Sequence, residues 1–171
     1  MKSGRNGGQN IPSNIITSMQ NQFKQIILIY GALMLGQVLF CLVVIFIVTS
    51  GPDPAPQEGT PFELIVPTVI FVAIAGSFFV YRMRKQQGTA LTGLSNKVEH
   101  YRTTAIMRSA ILEGANLLAI FITFVTNNLN FLLWFSLGLL VFLYFRPSVE
   151  QFIRDYALSG QEEQELRKAL G

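Results

Sequence analysis

The run IILIYGALMLGQVLFCLVVIFIV, residues 26–48, is 23 residues of apolar sequence broken only by Gln37. At about 1.5 Å of helical rise per residue, such a run exceeds a hydrocarbon core of roughly 30 Å. Signal-peptide apolar regions run only about 7–15 residues and end at a small-residue cleavage site, so this run reads as an uncleaved membrane helix that crosses with some tilt. Phe40, directly before Cys41, is not the small residue expected in front of a lipid-modified cysteine. Cys41 is the only cysteine, which excludes a disulfide framework and a thiolate metal site and leaves it a packing role.

Three shorter apolar runs follow, at 64–81, 109–125 and 129–145. The connection before the first of them carries Pro52, Pro54, Pro56 and Pro61; each proline removes a backbone donor and fixes φ, so helix cannot pass through. Asp53 and Glu58 in this linker serve to keep it solvated. Pro67 falls in the first turn of its span, where a missing N–H costs little. Only residues 126–128 separate the last two runs, which makes them an antiparallel hairpin. Ser95 reads as the N-cap of a helix carrying residues 97–108 toward the membrane. After Pro147, Ser148 and Gln151 fit a capping box, and Val149, Phe152, Ile153 and Tyr156 draw one apolar stripe with Arg154 and Asp155 off it. That stripe predicts a short helix lying on the membrane surface, followed from Gln161 by a polar tail that frays. The expected organisation is a disordered arm at 1–12, a four-helix membrane domain at 13–147, and a surface helix with a polar tail at 148–171.

All thirteen Lys and Arg residues fall on one side of this plan. Lys2, Arg5 and Lys24 precede the first span; Arg82, Arg84, Lys85, Lys97, Arg102 and Arg108 lie between the second and third; Arg146, Arg154, Arg167 and Lys168 follow the fourth. Basic loops are retained on the cytoplasmic face, so both termini and the central loop are expected inside. The fold class expected is an all-α polytopic membrane protein with four transmembrane helices. Half of the 171 residues are apolar and 13% are charged, the profile of a lipid-soluble bundle with no segment long enough for a separate soluble core. The net charge of +3 sits beside hydrophobic spans, so the expected partners are the lipid bilayer and its anionic headgroups, not nucleic acid. Tyr81, Trp134, Tyr144 and Phe145 lie near span ends, where aromatic rings favour the headgroup region.

Ser109, Glu113, Asn116, Ile120, Thr123 and Asn127 recur at spacings of four, three, four, three and four, a single stripe along the third span. Polar groups are costly against lipid, so the stripe is expected to face other helices or a water-filled cavity. Ala110, Gly114 and Ala119 beside it permit close approach of a partner helix. Glu113 is the only ionisable residue well inside an apolar run. It lies about 6 Å below the inner boundary by helical rise, at a level comparable to Tyr30 and Ser77, either of which could bond to it. Three roles stand for it: a hydrogen-bonded packing carboxylate, a proton or cation site, or a ligand contact. Arg108 is expected to reach lipid phosphate or another helix. Gln37 reads as an interhelical hydrogen bond, and His100 as a solvated side chain without metal-ligand partners.

Tyr101-Arg102, residues 108–114 (RSAILEG), Thr126-Asn127-Asn128 and Phe145-Arg146-Pro147 resemble a group of small uncharacterised bacterial inner-membrane proteins, over the C-terminal half of the chain. The resemblance implies a helical membrane protein of the bacterial inner membrane and implies no activity. Residues 110–114 are also similar to the ion-binding helix of rotary ATPase proteolipid subunits, which implies ion translocation through Glu113 as the alternative. The chain carries no paired acid, base or nucleophile of the kind a membrane hydrolase needs, and no cofactor is expected. The functional expectation is a non-enzymatic accessory or assembly protein that meets another membrane protein, or a second copy of itself, through its third span. The candidate residues are Glu113, Asn116, Ser109, Thr123, Tyr30, Ser77 and Arg108.

Overall fold

The computed structural model describes residues 13–51 and 60–170, apart from the side chains of residues 13–16 and 18. The expectations for residues 1–12 and for Asp53 and Glu58 lie outside the described residues. Within them the chain is all-α: α1 (Ser13–Ser50), α2 (Phe62–Thr89), α3 (Leu94–Thr126), α4 (Leu132–Tyr144), α5 (Val149–Asp155) and α6 (Gly160–Leu170), with a 3-10 turn at Leu129–Phe131 ahead of α4. Helices α1, α2 and α3 are long and apolar enough to cross a membrane. A fourth crossing is reached only when Leu129–Tyr144 and Val149–Asp155 are counted together across a 72° bend.

The fourth run, expected at 129–145, is occupied by the 3-10 turn and α4 over Leu129–Tyr144, and the bend falls after it, before Val149. Asn127 turns left-handed (φ 52°), and Asn128 is extended and accepts the Asn130 N–H through its side chain at 2.9 Å, so the chain re-enters through a 3-10 turn. At the other end α4 stops at Tyr144, three residues before Pro147. Helix α3 begins after Gly93, not Ser95, and runs without a proline for 33 residues. It supplies buried side chains to all four hydrophobic clusters and is the central helix of the bundle.

Two layers follow from where the apolar surface lies. Among the described residues, exposed large hydrophobics fall between Ile27 and Ile47, between Leu64 and Met83, and between Met107 and Tyr144. Together they form a girdle far larger than the few-hundred-Å² patches of a water-soluble monomer. None lies in residues 94–106, α5 or α6. There, beyond the girdle, a second core joins Met19, Phe23 and Ile26 of α1, Leu94, Val98, Tyr101 and Ala105 of α3, Phe152 and Tyr156 around α5, and Leu166 and Ala169 of α6. We call this layer the cap.

The cap corrects two expectations. The α5 stripe is not spread on lipid: Phe152 and Tyr156 are buried at the cap's centre, edge-on to Phe23 and Tyr101 respectively. The segment from Gln161 does not fray; it is helical, capped by reciprocal Ser159–Glu162 hydrogen bonds of 2.9 and 3.3 Å, and it buries Leu166 and Ala169. A core outside the girdle exists after all, because four separate helix ends assemble it where no continuous segment could.

Candidate functional site

The heptad stripe of α3 mostly turns inward. Ser109, Asn116, Ile120 and Thr123 are buried, and Glu113 and Asn127 are partly exposed. Asn116 donates through Nδ2 to Gln37 Oε1 of α1 at 2.8 Å, and both residues are 0% exposed. This is the interhelical bond expected of Gln37. Asn116 Oδ1 lies against Gly138 of α4, where any Cβ would collide with it, so Gly138 is what lets α4 close on the seam. Thr123 donates to the Ala119 carbonyl at 2.9 Å, a local bond that leaves no hydroxyl donor for a partner. The stripe is therefore an internal seam, and only its edge is offered outward.

Glu113 is that edge. Leu112 and Asn116 beside it are buried, whereas Ala110 and Gly114 are exposed. The expected bonds from Tyr30 or Ser77 are not formed. Tyr30 donates instead to the Phe142 carbonyl at 2.7 Å and stacks on the Phe142 ring, and the buried Ser77 hydroxyl has no partner among the described residues. Among the same residues Glu113 itself has no hydrogen bond or ion pair. Cys41 is buried in a hydrophobic cluster with Val44, Val48 and Ile120, a packing residue as read from sequence.

The girdle and the cap meet at a cluster the sequence reading missed. Asp155 is 2% exposed; its carboxylate accepts from Tyr81 Oη at 2.6 Å and from Lys85 Nζ at 3.0 Å. Arg108, read as reaching lipid phosphate or another helix, is buried and turned inward to α4. It donates through Nη2 to the Phe145 carbonyl at 2.7 Å, a group left free by the end of α4, and its guanidinium lies 4.3 Å from the Phe145 ring centre and 5.3 Å from that of Tyr81. A buried guanidinium held by a carbonyl and two π faces is stabilised without a direct carboxylate partner. Tyr101 clamps the start of α5, accepting the Ser148 N–H at 3.0 Å and donating to the Ser148 carbonyl at 3.2 Å. Sequence spacing could not reveal Asp155, because its partners lie some seventy residues away on another helix.

Electrostatics in the cap follow from burial. His100, expected to be solvated, has Nδ1 2.8 Å from Tyr156 Oη. Burial first, then the Arg84 charge, pushes the imidazole below its usual range, and burial pushes Tyr156 and Tyr101 up to about 12. Tyr156 therefore keeps its proton and can donate it to an uncharged imidazole. Burial opposes ionisation of Glu162, but the Ser159 N–H and the Lys97 ammonium, 2.9 Å away, outweigh it and hold the carboxyl below its ordinary range.

At the elbow between α4 and α5 the surface opens into a cavity of about 270 Å³. It is lined by Phe78 and Tyr81 of α2, Tyr144, Phe145 and Arg146 at the end of α4, and Ser148, Gln151 and Arg154 of the α5 segment. Among the described residues no group of three His, Cys, Asp or Glu side chains is placed to hold a metal ion.

No family model, curated protein or solved structure matches this chain. Its function is therefore argued from the geometry above.

Proposed function

We propose that the chain is a non-enzymatic accessory or assembly protein of the bacterial inner membrane, with four spans and with both termini and the α2–α3 connection in the cytoplasm. The one-sided distribution of the thirteen basic residues supports the orientation, and three helices long and apolar enough to cross a bilayer support the membrane location. Single cysteines replacing Gly51 and Gln87, in a Cys41→Ala background, react with an impermeant thiol reagent from the outside and the inside respectively. Labelling of both from one side overturns the orientation.

Glu113 carries the functional reading. A carboxylate within the girdle, without an internal partner and beside exposed Ala110 and Gly114, is what a second helix of this or another protein would cover. The proposed interaction face is thus narrower than the whole polar stripe. The competing role, an ion-coupled carrier or channel subunit using Glu113, needs an aqueous path from both faces. The fully buried Gln37–Asn116 pair fills the α1–α3 seam where such a path would run, and this favours the assembly role.

Because Glu113 is unpaired in the chain itself, Glu113→Gln and Glu113→Leu both leave the isolated protein's stability within about 0.5 kcal/mol. In a gently solubilised complex, Gln, which retains hydrogen bonding, keeps the assembly, and Leu loses it. Complex mass by native separation reads the difference. A Gln variant that assembles normally yet behaves in cells like a deletion overturns the assembly role in favour of ion coupling.

A further inference from the structure

We propose that the cavity at the α4–α5 elbow is a specific site for the phosphate of an anionic glycerophospholipid. The inference rests on this end of the bundle meeting a bilayer surface, and not on the partner assigned to Glu113.

Three observations carry it. The first is charge. Arg146 and Arg154 both line the cavity, and the Asp155 carboxylate near Arg154 is already engaged by Lys85 and Tyr81. Arg154 Nε is 3.8 Å from Asp155 Oδ1, with its side chain 74% exposed, and among the described residues Arg146 makes no ion pair and Arg154 makes none with Glu150 one turn earlier. Two guanidinium forks with spare donors match the oxygens of a phosphate diester.

The second observation is neutral polarity in register with that charge. Ser148, Gln151 and Arg154 recur every third residue and line the cavity together, while Phe152 and Tyr156 point into the cap. The carboxamide of Gln151, which also hydrogen-bonds Tyr81, keeps a further donor for headgroup hydroxyls.

The third is position. The other wall is aromatic, from Phe78 and Tyr144, and both are exposed members of the girdle, Tyr144 at 77%. A ligand with its phosphate on the arginines would extend along these rings into the apolar layer, as acyl chains do and a free phosphate cannot. Basic pockets at this boundary of membrane helices bind lipid headgroups on the same grounds.

The test uses the full chain in nanodiscs and after detergent extraction, with bound lipid counted by native mass spectrometry. In phosphatidylglycerol discs the wild type retains lipid through extraction, and in phosphatidylcholine discs it retains at least about tenfold less. Arg146→Gln with Arg154→Gln lowers phosphatidylglycerol retention about tenfold, whereas Arg167→Gln with Lys168→Gln, an equal loss of charge on α6, leaves it unchanged. Gln151→Trp, which fills the cavity and keeps both arginines, lowers retention as well. Equal losses in the two double variants, full retention by the Trp variant, or displacement of the lipid by millimolar inorganic phosphate would each overturn the proposal.

Discussion

In the girdle, polar groups are few and the bonds they make are short in reach: Tyr30 on the Phe142 carbonyl, Asn116 on Gln37, Thr123 on its own helix, while Ser77 and Glu113 find no partner among the described residues. In the cap, four aromatic rings, Phe23, Tyr101, Phe152 and Tyr156, pack around one another, and charged pairs such as Lys85–Asp155 and Lys97–Glu162 tie the rim. The contrast follows from the solvent each layer faces. Lipid tails are as apolar as the side chains they replace, so burial there contributes little, and helices are held by close approach and amide bonds. In water, the removal of aromatic surface is itself the driving force.

The largest effects are therefore expected in the cap. Phe152→Ala empties the centre of its core and costs about 3–5 kcal/mol of cap stability. Asp155→Asn leaves Lys85 and Tyr81 with a weaker acceptor and costs about 2 kcal/mol, the smaller figure reflecting that Lys85 remains 41% exposed. Both are read as faster proteolysis within residues 145–170 in membranes, with α1–α3 left intact. Equal resistance of wild type and Phe152→Ala would return α5 to the lipid surface.

A smaller effect is expected in the girdle. A double-mutant cycle on Gln37→Leu and Asn116→Leu should give a coupling of about 0.6 kcal/mol, the average for membrane interhelical hydrogen bonds, measured by unfolding in mixed micelles. A coupling as large as the loss at Phe152 would erase the distinction between the layers.

Acidification gives the gentlest probe. Glu162 is held below its unfolded value, so its contribution is complete above about pH 4.5 and is lost as pH falls through its folded value. His100 is also held below its unfolded value, so the unfolded chain takes up a proton first and the cap weakens as pH drops below about 6.5. Both signs agree: the cap loosens between pH 6.5 and 4, while the girdle, followed by Trp134 fluorescence, stays unchanged over the same interval.

How much of this was legible from sequence divides along the same line. The apolar runs at 26–48 and 64–81 lie inside α1 and α2, and the heptad stripe identified Ser109, Asn116 and Thr123 as inward-facing. Capping chemistry was readable at Ser148, which accepts from the Gln151 N–H at 3.2 Å, but not at Ser95, since α3 starts two residues earlier, after Gly93. These signals are local. What stayed hidden was the recipient of each apolar face: the periodicity of Val149, Phe152, Ile153 and Tyr156 gives the face that leaves water and is silent on whether lipid or protein covers it. His100 was read as solvated, and Asp155 only as lying off the apolar stripe, for the same reason, since their partners beside α5 and on α2 come from distant sequence.

Helices α1 and α3 cross from girdle to cap without a break, at 38 and 33 residues. A bundle whose longest members pass through both layers has no joint between them. Bilayers of different thickness are met by tilting such helices, and each added degree is transmitted along a stiff lever. The part of α3 at residues 94–108 extends about 22 Å by helical rise, so a 10° change of tilt sweeps its far end sideways by about 4 Å. A change of bilayer thickness that tilted these helices would, by this geometry, displace the cap across the membrane surface.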